Sequence, residues 1–240
     1  MCHLRRLESR IHREIFGADV HETSDEKIDC FRYELDAWQL AVPVPIDASF
    51  VLPGYSLYDT REFFDIQYSK ALRMLLQRRI TTPKKEAEGE ISKTAEYIAL
   101  SARASGDICQ HYKVLHQRSP LGWNLLALHS IFTAGLTLLY ASWTRKDRPD
   151  LVALEDIRAC SSVLFAISEQ WPSTKRFRDI FETLAREMMD ILKRSQPPDW
   201  NGLFPVDTNA FGGEGFWSIF DDLVEDDYIR DQFRLEEMMG

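Results

Sequence analysis

WNLLALHSIFTAGLTLLYASW, residues 123–143, is the most apolar stretch of the chain. At about 20 residues it is long enough for a membrane-spanning helix. A bilayer span tolerates few polar groups, yet Asn124, His129, Ser130, Thr133, Thr137 and Ser142 interrupt this one. The polar groups are ordered. His129, Thr133 and Thr137 lie four apart and share one helical face. Leu125, Leu128, Phe132, Leu136, Leu139 and Trp143, at steps of three and four, share another. The expectation is a helix inside a soluble helical protein, with protein on most sides, and not a membrane span. The His129, Thr133 and Thr137 stripe then faces a hydrogen-bonding neighbour or an effector cavity. Hydroxyls can also bond to their own helix carbonyls, so the stripe alone does not define a pocket.

The same periodicity continues on both sides of this stretch. Leu4, Leu7, Ile11 and Ile15 predict a first helix, which Gly17 stops. Thr23, Ser24, Asp25 and Glu26 read as a capping box opening a second, with Ile28, Phe31, Leu35 and Trp38 on one face. Pro43 and Pro45 end it, because proline cannot donate the helical hydrogen bond. A third starts around residues 59–62 and carries Phe64, Tyr68, Leu72 and Leu75 or Leu76. The run at residues 84–90 reads as an exposed loop. A long helix over residues 91–117 follows, its small and apolar face traced by Ala95, Ile98, Ala102, Ser105, Cys109, Tyr112 and His116. After the opening stretch, one helix runs from about residue 150 to Trp171-Pro172. Another, capped by Ser173, carries Phe177, Ile180, Phe181, Leu184, Met188 and Ile191. No strand pattern competes. The expected class is all-α: an irregular bundle or array of about seven helices over residues 1–196, with a linker and acidic-aromatic tail over residues 197–240.

Composition narrows the function. Of 240 residues, 45% are hydrophobic and 28% charged, which is globular composition. The net charge of −9 is uneven. From residue 201 onward ten acids face two arginines, a local −8, so the body carries only −1. A near-neutral body argues against direct nucleic-acid binding. The four cysteines, Cys2, Cys30, Cys109 and Cys160, are far apart in sequence. They read as isolated reduced thiols, with no metal site and no cofactor expected. The N-terminus has no apolar secretory segment. Basic pairs such as Arg78-Arg79 read as solvated helix-end residues.

Candidate chemistry is sparse. The six histidines form no HExxH pattern, and His111 and His116 are five apart rather than four. Asp221, Asp222 and Glu225 fit the DDxx(D/E) pattern of helical prenyl-diphosphate enzymes, in which clustered carboxylates hold Mg2+. A second carboxylate motif is missing, so this stays the alternative and no catalytic residue is assigned. The tail interleaves its acids with Phe216, Trp217, Phe220, Leu223 and Tyr228. That is the composition of an amphipathic activation-type segment, or of a terminal helix packed back on the body.

The order of segments resembles the C-terminal half of the regulatory, or middle homology, domain of fungal zinc-cluster transcription factors. LRRLESRI at residues 4–11 is similar to its helix with an arginine-rich, Ser-Xaa-Ile ending. YSKALRMLLQRR at residues 68–79 is similar to its Tyr-x3-Leu-x-Leu-x-Arg-Pro segment, although Ile80 stands where the proline belongs. Residues 123–143 carry its Phe-x-Ala-Gly-x-Thr-Leu-Leu-Tyr-x2-Trp pattern. CSSVL at 160–164, EQWP at 169–172 and RDIFETLA at 178–185 resemble its closing helices. The resemblance implies a non-enzymatic, all-α regulatory module in the nucleus, with the cytoplasm left open. It implies control of RNA polymerase II transcription, and transcriptional coactivators, a small-molecule effector and a second copy of the chain as candidate partners. The family's zinc cluster needs six cysteines in one compact run, and this chain has four dispersed ones. A fragment or a dominant-negative scaffold are therefore further readings.

Overall fold

A computed structural model describes residues 2–16, 24–43, 60–81, 88–118, 124–144 and 151–194. It contains seven α-helices: α1 (Cys2–Phe16), α2 (Asp25–Ala41), α3 (Arg61–Thr81), α4 (Glu88–Arg118), α5 (Leu125–Thr144), α6 (Leu151–Gln170) and α7 (Lys175–Arg194). The all-α class expected from the periodicity is the one observed. Residues 195–240 lie outside the described region.

α1 has 15 residues, too few for a stable helix on its own. Leu4, Leu7, Ile11 and Ile15 are all buried, and burying each such side chain contributes roughly 1.5–3 kcal/mol. α2 packs antiparallel to it through Ile28, Phe31, Leu35 and Trp38. Arg10 fixes the pair with a two-pronged bond to Glu34 (2.6 and 3.0 Å) and lies over the Phe31 ring. The N-cap of α2 is Ser24, whose hydroxyl accepts from the Lys27 N–H at 3.3 Å, one residue later than the expected box. With Lys at the third position, the reciprocal carboxylate bond is not made. Thr60 caps α3 in the same way, accepting from Phe63.

α3 and α4 run antiparallel along the centre of the protein. Arg118 at the end of α4 meets Glu62 at the start of α3 (2.7 Å). α4 begins at Glu88, so the last residues of the expected loop are helical. Its traced face is partly right. Ala95 is exposed, while Tyr97, Ser101, Ala104, Ile108 and Leu115 are buried. A helix packed on several sides buries more than one stripe.

Two hydrophobic cores share α4. One gathers α1, α2, α3 and the first part of α4 as far as Ala104. The other gathers Ile108 and Cys109 of α4 with α5, α6 and α7, and Phe132 meets Phe177 edge to face at 5.2 Å. Tyr140 of α5 packs against both. A turn of 3-10 helix, Pro172–Thr174, precedes α7, with the Thr174 hydroxyl donating to the Trp171 carbonyl. α7 buries Phe177, Phe181, Leu184 and Met188 as its spacing predicts.

α5 decides the membrane question. It has the length and composition of a span, but 78% of its apolar window is buried within the protein. Asn124 caps it, accepting from the Ala127 N–H at 2.8 Å. Of its expected apolar face, Trp143 is 39% exposed and the rest is largely enclosed.

One charge expectation is overturned. Arg79 is not a solvated helix-end residue. It is 5% exposed and pairs with Asp25 at 3.1 Å, joining the last turn of α3 to the first turn of α2. Both groups sit at the dipole end that favours them. Its neighbour Arg78 donates to the Ile15 carbonyl and so closes the last turn of α1.

Candidate functional site

The stripe of α5 lies in the interior. The Thr133 hydroxyl donates to the His129 carbonyl at 2.7 Å, and the Thr137 hydroxyl to the Thr133 carbonyl at 2.8 Å. Both threonines are nearly fully buried, and their polar groups are satisfied within their own helix. His129 is half-buried and is the group of the stripe whose side chain the electrostatics single out. Its imidazole pKa is lowered to about 4, first by burial and then by the positive charges of Arg73 and Lys70 on α3. At neutral pH it is the uncharged form.

Two cations of α3 thus act on His129 of α5. Arg73 is 6% exposed, and its guanidinium donates to Gln77 at 3.3 Å. Burial lowers its pKa to about 10. Lys70 is lowered to about 8 by burial and by Arg5 of α1, against a raising contribution from Glu8. Charges are buried only at a cost. Lys70 and Arg73 therefore make an electropositive environment for the uncharged His129. Sequence reading missed this group, because Lys70 and Arg73 look like ordinary polar positions of an amphipathic helix. The available signal was the stripe Ile66, Gln67, Ser69, Lys70, Arg73, whose neighbours leave α3 no wholly solvated side.

His111 and His116 are both half-buried on α4, and His111 Nε2 lies 4.0 Å from Asp65. Among the described residues, no group of three or more His, Cys, Asp or Glu side chains gathers to hold a metal ion. Phe216, Trp217, Phe220, Leu223 and Tyr228 lie outside the described residues, as do Asp221, Asp222 and Glu225.

All four cysteines are free thiols, and they divide by burial. Cys2 and Cys30 are exposed, while Cys109 of α4 and Cys160 of α6 are fully buried in one core, where the Cys160 thiol donates to the Ile131 carbonyl at 3.5 Å.

Two curated proteins match the chain. An uncharacterized transcriptional regulatory protein of Saccharomyces cerevisiae is 27% identical over 178 residues, covering 61% of this chain and 12% of that protein. The positive regulator of purine utilization of Emericella nidulans is 24% identical over 173 residues, covering 64% of this chain and 16% of that protein. The chain therefore spans less than a fifth of the length of either relative. No family model matches it. No solved structure matches it. Over some three fifths of its length, and in agreement with the resemblance carried by its helices, the chain is similar to fungal transcriptional regulators.

Proposed function

We propose that residues 1–196 are the helical regulatory and protein-interaction part of a fungal transcription regulator of the zinc-cluster type, and that residues 197–240 are its acidic-aromatic contact segment. The observation that carries this reading is the match to two fungal regulators. The order of the helical motifs supports it. The module acts in RNA polymerase II transcription in the nucleus, without an enzymatic site and without reading DNA through its own 240 residues. Coactivators meet Phe216, Trp217, Phe220, Leu223 and Tyr228. Acids between those side chains keep apolar groups available to a partner groove. A small-molecule effector of the body would meet α5 along the stripe His129, Thr133 and Thr137, whose threonine hydroxyls donate to their own helix.

The test is a fusion of residues 1–240, and separately 201–240, to a heterologous DNA-binding domain, read by reporter output in yeast. Activation by the tail, abolished by Phe216→Ala, Trp217→Ala and Phe220→Ala together, is the expected result. Unchanged activation by the triple variant removes the tail from the reading. Silence from both fusions, with expression confirmed, removes activation altogether.

A further inference from the structure

The two cores meet along α4, and they are distinct. Among the described residues, no buried side chain belongs to both. On α4 the change falls between Ala104, the last buried member of the first core, and Ile108, the first of the second. Between them stand Ser105, whose hydroxyl is buried without a hydrogen-bond partner, and Gly106, a residue that weakens a helix interior. Away from α4 the divide is crossed by Tyr140, which packs against both cores, and by the partly exposed pair of Arg118 with Glu62 (2.7 Å). Pairs of that kind hold two elements together only weakly. The two sides are also unequally satisfied. On the first, Arg79 is 5% exposed; its Nε reaches Asp25, but its Nη2 is buried without a partner. Tyr97, inside the same core, is 1% exposed and its hydroxyl also has none. A buried polar atom left unpaired costs free energy. On the second side the buried hydroxyls of Thr133, Thr137 and Ser168 donate to carbonyls of their own helices at 2.7, 2.8 and 2.8 Å. Among the described residues of α5, α6 and α7, every buried side-chain nitrogen or oxygen has a partner.

We propose that the two cores are separate cooperative units and that the side built from α1, α2, α3 and the first part of α4 opens first, while the rest of α4 stays folded on α5, α6 and α7. The weaker side is the one that carries the unpaired buried groups. Once α1, α2 and α3 leave, residues 88–104 of α4 have no core to pack on, and a helix of that length does not hold alone in water. The helix then ends near Gly106, where the second core takes over. Opening uncovers the apolar faces of three helices at once, among them Leu4, Leu7, Ile28, Leu35 and Leu75, all buried in the closed form. The folded α5–α7 side remains as the scaffold that carries them. A partner that binds those faces would hold the half-open form, so the fold contains a two-state element on which binding can act.

Hydrogen–deuterium exchange of the full chain, followed by mass spectrometry over a series of low urea concentrations, reads the opening helix by helix. The expected result is one common, faster exchange for α1, α2, α3 and residues 88–104, a step in protection on α4 near Gly106, and slower exchange beyond it. Val163 is 1% exposed in the second core. Val163→Ala should speed exchange of α5, α6 and α7 by about 10-fold and leave α1, α2 and α3 at the parental rate, because Val163 stays packed in the half-open form. Ile167→Val, also in the second core, gives the same pattern at about 3-fold if the alanine variant does not fold. Tyr97→Phe removes an unpaired hydroxyl and should slow exchange of α1, α2 and α3 by about 5-fold or more. A single rate for all seven helices overturns the proposal, as does faster opening of the α5–α7 side. So does a Val163→Ala or Ile167→Val protein that exchanges faster on both sides alike, since the cores would then unfold as one. A Tyr97→Phe protein whose α1–α3 side exchanges no more slowly than the parent overturns the reason given for the order of opening, and the order with it.

Discussion

Replacing Gly135 by alanine sets local propensity against tertiary packing. Glycine inside a helix is disfavoured by about 1 kcal/mol relative to alanine, so α5 taken alone should gain. The surroundings reverse the sign. A Cβ at 135 would meet Cys160 Sγ at 2.5 Å and the Phe181 ring at 2.6 and 3.1 Å. Neither neighbour can retreat easily, because both are fully buried in the same core. Overpacking of this kind costs about 1–3 kcal/mol, and two approaches under 3 Å place it in the upper half of that range, so after the propensity gain the net loss is about 1–2 kcal/mol. For a chain of this size that lowers the melting temperature by roughly 3–6 °C. Gly106→Ala is the internal control. Its Cβ meets the carboxyl group of the Asp156 side chain, which can swing aside. Losing the Gln110 hydrogen bond costs about 1 kcal/mol and the propensity gain offsets it, leaving stability near that of the parent. Urea titration of both variants and of Gly135→Ala/Cys160→Ala reads the result. The double variant should recover part of the loss, since removing the sulfur relieves one of the two clashes. A Gly135→Ala protein as stable as the parent, or more so, would refute the close approach of α5 and α6.

Other expectations rest on single groups. His129 has a folded-state pKa near 4 against an ordinary 6.5, so the unfolded chain binds more protons between those values. Stability should therefore fall as pH drops from 6.5 to about 4, by at most about 3 kcal/mol, and His129→Gln should flatten that slope in pH-resolved urea melts; an unchanged slope would place His129 in solvent. Lys70, lowered to about 8, contributes stability only while it is neutral, and that contribution is lost as pH falls from 10.5 through 8. Lys70→Met should thus be at least as stable as the parent at pH 7, with a gain of about 1–2 kcal/mol, whereas a clear loss would mean that its attraction to Glu8 outweighs burial. Asn124→Ala should cost about 1 kcal/mol and Ser24→Ala less, because the Asn124 cap bond is 2.8 Å and the Ser24 bond 3.3 Å. The reverse order in denaturant midpoints would contradict the cap geometry.

Where one stripe of a helix faces the core, the stripe was legible in the sequence. Leu4, Leu7, Ile11 and Ile15 of α1, and Phe177, Phe181, Leu184 and Met188 of α7, are buried as their spacing predicts. Legibility failed for helices enclosed on several sides. In α4 the buried set includes Tyr97, Ser101 and Ile108, while Ala95 faces outward. In α3 the arginines at 73 and 79 are as buried as leucines, because neighbouring helices leave them no route to solvent. The His129, Thr133 and Thr137 alignment was readable from spacing four. Its electrostatics were not, since the cations acting on His129 come from α3, more than fifty residues away in the chain.

Periodicity and turn residues determined the number, order and approximate limits of the helices, and motif order pointed to fungal transcriptional regulators. These are local properties, written within a few residues of where they act. Only the tertiary structure decided which polar groups lie inside, that Arg79 pairs with Asp25, and that the Cys160 thiol of α6 reaches the Ile131 carbonyl of α5. Those outcomes depend on how helices dock. Docking is fixed by the fit of whole surfaces, where a glycine such as Gly135 lets two backbones approach, and not by any one segment's own pattern.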